Sequence, residues 1–301
     1  MSTKENATLR NQMPSCPAPG LGVNRWLIIA ANQLKRQGAS LSDAEKIILE
    51  QMTRPPKGSE LRTTLRKVYQ QSPAQWHSAQ THRKPNKRHE LNPYNQTSDP
   101  DLIKRAVETG FRQEDLKALS PAITFPLLSR KSVVRSLFPP GCLVCCAKGR
   151  EYGYETGPVE SFDSFDGFNF IVPQPMTALK GWTQDGKLSP KSKDNTGSWR
   201  YFVYESDGLS LDDQAAVLFE LAHYLPLALV VFSGNQSLHG WFFVQSLDDV
   251  ALRRFQCLAV RLGACTGPLN RSQLVRMPGG WNKDVRAKQE VIFFNPGAIR
   301  P

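Results

Sequence analysis

The chain has 301 residues, 40% apolar and 9% aromatic, which suits one large or two ordinary domains and excludes a disordered protein. Thirty-eight Lys and Arg against 27 Asp and Glu give +11 at pH 7, a balance that favours polyanionic partners such as nucleic acid or nucleotides over an anionic membrane. No run approaches the ~18 apolar residues of a membrane span, the N-terminus lacks the apolar segment of a secretory signal, and the scattered cysteines read as reduced, so a cytoplasmic protein with no membrane partner is expected.

Along the chain, residues 1–19 read as a flexible tail and 20–72 as a small all-helical module. NRWLIIAANQLKRQG sets Leu27, Ala31 and Leu34 on one stripe and stops at Gly38. Ser42-Asp-Ala-Glu45 has the form of a capping box ahead of IILEQM, and Ser59 suits the cap of a third helix carrying Leu61, Leu65 and Val68. Residues 73–98 have no period and read as a basic linker. Between Arg54 and His89 stand nine Lys and Arg against one acid, Glu60, so Arg83, Lys84, Lys87 and Arg88 are candidates for phosphate-backbone contacts; a solvated hinge would look the same.

From residue 99 to 301 the pattern is that of one larger domain. Asp99-Pro100 opens a helix that stops at Gly110, because Asp caps and Pro suits the first turn. Strand-like segments follow: SVVRSLF, CLVCCA, FNFIVP, WRYFVYE, LALVVFSG, LHGWFFVQ, QLVRMP and EVIFFN. CLVCC contains one CxxC with no second pair at zinc spacing, and its apolar neighbours make it a buried strand. Helices are expected from Ser210, carrying Leu211, Ala215, Leu218, Leu221, Ala222 and Leu225, and from Asp248 to Gly263. Strands mixed with helices and hairpins indicate an α+β fold. There is no GxxxxGK[ST] phosphate loop, so a helicase activity would belong to a separate protein.

Three segments carry chemistry. RYFVYESDG, as a strand, puts Tyr201, Val203, Glu205 and Asp207 on one face, and two carboxylates at i and i+2 repel each other unless a cation lies between them. Two acids in a surface turn are the plainer reading of that pair. In SGNQSLHGWF the chain turns at Gly234 and re-enters a strand with Ser237, His239 and Trp241 on one face, while Ser233 sits at the mouth of the turn. Hydroxyls, turn backbone and imidazole converging there make a cradle for phosphate oxygens; a satisfied structural histidine is the bland alternative. NRSQLVRMPGGWNKD offers Arg271 and Arg276 around a short strand, arginine being suited to phosphate contacts.

The order of these elements, with SGxxSLHGW and RSQxVRMPxG as its specific motifs, resembles the archaeo-eukaryotic primase superfamily over residues 125–296. It is more closely similar to the primase-polymerase-like replication proteins of mobile elements and bacterial genomes, and the helical stretch 20–72 loosely resembles the module that accompanies them. The resemblance implies an RRM-like antiparallel-sheet catalytic core preceded by a small all-helical module. It further implies template-directed nucleotidyl transfer on single-stranded DNA from nucleoside triphosphates, with Mg²⁺ or Mn²⁺. In those terms Glu205 and Asp207 hold metal, Glu205, Asp207 and His239 are catalytic, and Ser233, Ser237, His239, Arg271 and Arg276 bind nucleotide. Lys187, Lys191 and Lys193 of the loop GKLSPKSKDN, with the basic region 54–89, carry the template, and Trp182 and Trp199 can stack on bases or serve the core.

One departure bears on catalysis. Where the family pattern calls for a third acid, LGACTGPLNRSQ places Cys265; Asp163, Asp166 and Asp284 are the acids that could replace it from elsewhere. The other classes of function are a degenerate primase fold that binds single-stranded nucleic acid or nucleotide in replication without polymerising, and a plain basic nucleic-acid-binding protein.

Overall fold

Residues 27, 30–31, 34–35, 39–52, 61–62, 64–66, 91–121 and 129–299 are described by the computed structural model. The tail 1–19, residues 73–90 of the expected linker, Gly38, Ser59 and Val68 lie outside them. Helix α1 (Leu41–Gln51) is capped by Ser40, whose hydroxyl accepts from the Asp43 amide and donates to the Asp43 carboxylate. The cap therefore falls two residues before the expected Ser42, because Ser40 has extended backbone and Asp43 three residues on to answer it. Leu27, Ala31 and Leu34 are buried with Ile47, Ile48, Leu61 and Leu65 in a cluster of their own.

The rest of the fold is built on two four-stranded antiparallel sheets. Helices α2 (Pro100–Val107), α3 (Gln113–Ala118) and α4 (Arg130–Leu137) come first. Strands β1 (Leu143–Ala147), β2 (Tyr154–Pro158) and β3 (Phe170–Ile171) follow, then a ribbon of β4 (Gly181–Trp182) and β5 (Leu188–Ser189). After β6 (Tyr201–Tyr204) come α5 (Leu211–Leu221), β7 (Leu227–Phe232), β8 (Leu238–Phe243) and α6 (Asp249–Arg261). Strand β9 (Val275–Arg276), a ribbon of β10 (Trp281–Asn282) and β11 (Ala287–Lys288), and β12 (Val291–Phe294) complete it. The first sheet runs β2-β1-β3-β9 and the second β12-β7-β8-β6.

The second sheet is buried on both faces, which is why its strands read as nearly continuous apolar runs. Side chains alternate along a strand, so each strand feeds two cores. Phe202, Tyr204, Val230, Leu238 and Phe242 join residues of α2, α3, α5 and α6 in one core. Tyr201, Val203, Leu229, Val231 and Trp241 join Cys146, Ile171 and Val275 of the first sheet and Val133, Val134 and Leu137 of α4 in the other. Three helix caps are those the sequence marks: Asp99 accepts from Leu102, Ser210 from Asp213 and Asp248 from Ala251.

Further expectations are corrected. SVVRSLF forms helix α4, with Ser129 capping the Ser132 amide; Val133, Val134 and Leu137 share one helical face, and that spacing prevails over the strand preference of the valine pair. Strand β2, YETGP, was not expected, because a strand of Glu, Gly and Pro carries no apolar alternation; it is held by its ladder with β1 at the sheet's edge. Trp182 is exposed on the β4–β5 ribbon, not in a core, whereas Trp199 is partly buried against the helix-side core.

Candidate active site

Strand β6 stops at Tyr204, so Glu205 and Asp207 leave its end instead of lying within it. The ladder pairs Val203 with Trp241 and Tyr204 with Gly240, and continuing that register by one residue sets Glu205 across from His239. The Glu205 Oε1 to His239 Nε2 distance is 3.6 Å, too long for a hydrogen bond. His239 shares the face of Trp241 and lies over the inter-sheet core; it is buried, and neither ring nitrogen has a hydrogen-bond partner in the structure. Burial lowers its pKa below the usual imidazole value; the neighbouring Glu205 opposes that shift, and Arg276 and Arg150 add to it. At neutral pH the ring is therefore uncharged, with one N–H to donate.

The turn between β7 and β8 is closed by its own serines. The Ser233 hydroxyl accepts from the Ser237 amide at 3.2 Å and the Ser237 hydroxyl at 3.2 Å, and Gly234 takes φ +84° where the chain reverses. Gln214, buried on α5, accepts from the Leu238 amide and donates to the Gln236 carbonyl, fixing the turn against the helix. Asn282 of β10 donates to the Ser233 carbonyl from the other side. Gly240 lets Leu218 of α5 approach the strand: a Cβ there would meet Leu218 Cδ2 at 2.2 Å.

Arg276 reaches the same place from the first sheet. It pairs with Phe170 in the β3–β9 ladder, its guanidinium lies over the Phe170 ring at 4.9 Å, and it is 3.9 Å from the Asp284 carboxylate. Glu205, Asp207, Ser233, Ser237, Arg276 and Asp284 thus line one cavity of about 330 Å³. A smaller cavity of about 120 Å³ adjoins it, lined by His239, Glu205, Arg276 and Lys191 among others. Of the remaining expected residues, Arg271 instead donates to the Gly197 carbonyl at 2.8 Å and lines neither cavity. Lys187 and Lys193 are exposed near the β4–β5 ribbon. Arg83, Lys84, Lys87 and Arg88 lie outside the described residues.

Arg150, in the turn joining β1 to β2, lines both cavities and was not singled out in the sequence. Its only signal there was the pair of glycines, Gly149 and Gly153, that bracket a tight turn.

Cys265 stands where the third acid was expected. Its amide donates to the Glu205 carbonyl at 2.7 Å and its thiol lies 3.7 Å from Asp207 Oδ2. Burial raises the thiol's pKa, and the neighbouring acids push it the same way, so the group stays neutral. Among the other acids proposed for this role, Asp163 and Asp166 lie beside α4, where Lys131 donates to the Asp163 backbone carbonyl and Arg130 stands 3.7 Å from the Asp166 carboxylate. Among the described residues no group of three or more His, Cys, Asp or Glu is placed to hold a metal ion. Glu205 and Asp207 are hard oxygen donors on one cavity, and Mg²⁺ commonly takes one or two carboxylates plus substrate phosphates. The two carboxylates are thus the donor type that one such ion takes.

No protein-family model and no curated protein matches this chain. Among solved structures, the AEP domain (PP-N190) of the primase-polymerase (PrimPol) of cyanophage S-2L is similar at 18% identity and a TM-score of 0.36, covering 56% of this chain and 94% of that one. A likeness that loose carries no conclusion about fold or activity. Among the described residues, no helix is long and apolar enough to cross a membrane.

Proposed function

We propose that the chain is a metal-dependent, template-directed nucleotidyltransferase, a DNA primase or primase-polymerase. One observation carries this reading: two acids from the end of β6, the serine turn and an arginine from the other sheet line one cavity, with His239 on the cavity beside it. Bound by Glu205 and Asp207, Mg²⁺ or Mn²⁺ would compensate phosphate charge and lower the pKa of the attacking 3′-hydroxyl. Arg276, desolvated and permanently charged, pairs with the triphosphate oxygens. Neutral His239 donates its N–H to a phosphate oxygen, and the Ser233–Ser237 turn orients the triphosphate. The 3′-hydroxyl gives its proton to solvent and its oxygen bonds to the α-phosphorus as the bond from that phosphorus to the α–β bridging oxygen breaks, and pyrophosphate leaves. Lys191 meets the template at the cleft, with Lys187 and Lys193 further along the single strand. A replicative helicase is the further partner proposed for unwinding.

The test is incorporation of labelled nucleotide on primed and unprimed single-stranded DNA with Mg²⁺ or Mn²⁺, with Glu205→Ala/Asp207→Ala beside the wild type. Incorporation by the wild type and none by the double variant is expected. A second reading is favoured by Cys265 in place of a third acid: a primase-like protein that binds single-stranded DNA or nucleotide as a replication initiator or accessory factor without polymerising. A folded wild type that binds single-stranded DNA yet incorporates nothing with either metal establishes that reading instead.

A further inference from the structure

A third cavity, of about 290 Å³, lies beside the acid cleft and shares Arg150, Arg276 and Asp284 with it. Its walls include two aromatic rings from separate segments. Tyr152 is in the β1–β2 turn and is 55% exposed; Trp281 is on β10 and is 47% exposed. Neither ring packs against another ring of the described residues. Exposed aromatics taken singly are ordinary. These two are held in place. Buried Asn169 donates to the Lys148 carbonyl at 2.9 Å and accepts from the Trp281 amide at 2.9 Å, so one side chain ties the two walls together. The Tyr152 ring lies back on Gly149, where a Cβ would fall 2.1 Å from its Cε1. The Lys283 ammonium stands 3.2 Å from the Tyr152 hydroxyl and 5.7 Å from the ring centroid. Lys148, Arg150, Arg276 and Lys283 give this cavity four cations against the two acids Glu151 and Asp284.

We propose that this groove takes one nucleotide unit of a single strand, its base against the rings of Tyr152 and Trp281 and its phosphate toward Lys283 and Arg150. Flat apolar walls beside cations are what a base and its phosphate require, and every base has a face to stack, so the contact is independent of sequence. The occupant is part of a strand and not a free nucleotide, because the cations shared with the acid cleft lead the backbone from one cavity into the other. The proposal builds on the reading of the neighbouring cleft. Its test uses neither metal nor triphosphate, so the two can fail separately.

The test is fluorescence anisotropy in EDTA with a labelled oligothymidylate and with an abasic strand of the same length. The wild type should bind the base-bearing strand roughly tenfold more tightly, in line with the worth of one stacked base. Tyr152→Ala/Trp281→Ala should lose that preference while still binding the abasic strand, and Trp281→Phe should retain it where Trp281→Leu does not. Thermal unfolding of each variant shows that it remains folded. The proposal is overturned if the wild type shows no preference for bases, or if the double variant keeps the preference intact. It is also overturned if a thymidine monophosphate competes with the strand at comparable affinity, which would assign the groove to a free nucleotide.

Discussion

Replacing Cys265 with aspartate adds a third carboxylate 3.7 Å from Asp207 if its oxygen takes the place of the sulfur. Two unit charges at that distance repel by ~1 kcal/mol at the dielectric of water and ~4 kcal/mol at the effective value for sites near a protein surface. Asp207 is exposed and Cys265 half-buried, so solvent screening brings the cost down to about 1–3 kcal/mol for the metal-free protein. For a domain of this size that lowers Tm by roughly 3–10 °C. Mn²⁺ at a hundredfold excess over its Kd should return about 2.7 kcal/mol, and a three-acid site should gain more from the ion than the wild type does. Differential scanning fluorimetry of Cys265→Asp and wild type, in EDTA and across a Mn²⁺ titration, reads both effects. If Mn²⁺ stabilises the variant no more than the wild type, Cys265 does not face a metal position; if it stabilises neither protein, the assignment of Glu205 and Asp207 as ligands is refuted.

The remaining predictions concern packing and ionisation. Gly240→Ala drives a Cβ into Leu218, so the Leu218 side chain, the helix or the strand must shift; overpacking of this kind costs about 1–3 kcal/mol, read by urea unfolding, and Leu218→Ala in the same chain should recover part of it. Burial raises the thiol pKa of Cys145 and Cys146 above the ordinary value of 9.0, and raises Tyr201 and Tyr204 as well. The folded state then holds protons that the unfolded state has lost, so the contribution of these groups is fully present well below pH 9 and stability falls as pH rises through and beyond it. Urea unfolding at pH 8 and pH 10 should show that fall, less steeply in Cys145→Ala/Cys146→Ala; equal slopes in the two proteins refute it.

Much of the local structure was legible because it rests on neighbours in the chain. The caps Asp99, Ser210 and Asp248, the reversal at Gly234 and the helix ends at Gly110 and Gly263 each depend on a few adjacent residues. The alternation that put Tyr201 with Val203 and His239 with Trp241 is a property of any strand. Where local signals compete, the sequence misled: the valine pair of SVVRSLF is at home in a strand or on a helix, and only the contacts of Val133, Val134 and Leu137 with the inter-sheet core settle it. Strand β2 offered no signal, since its partner is β1 and not its own pattern.

The site divides along the same line. Residue types and spacing offered Glu205, Asp207, Ser233, Ser237, His239 and Arg276 as candidates, because carboxylates, hydroxyls and an imidazole interrupting apolar strands are costly without a partner, and the resemblance in element order gave them their expected roles. Their meeting depends on pairings across the chain: the β6–β8 register faces Glu205 with His239, and β9 joins the other sheet to bring Arg276 within reach of both. Arg271 fits the same sequence pattern and is held at Gly197, while Arg150, Tyr152 and Trp281 carry no pattern and gather around the cleft. Sequence alone determined which groups seek a partner, since that follows from their own chemistry and the strand period. Which groups share a cavity was decided by tertiary structure, because sheet register and the packing of one sheet on another are set by contacts between residues far apart in the chain.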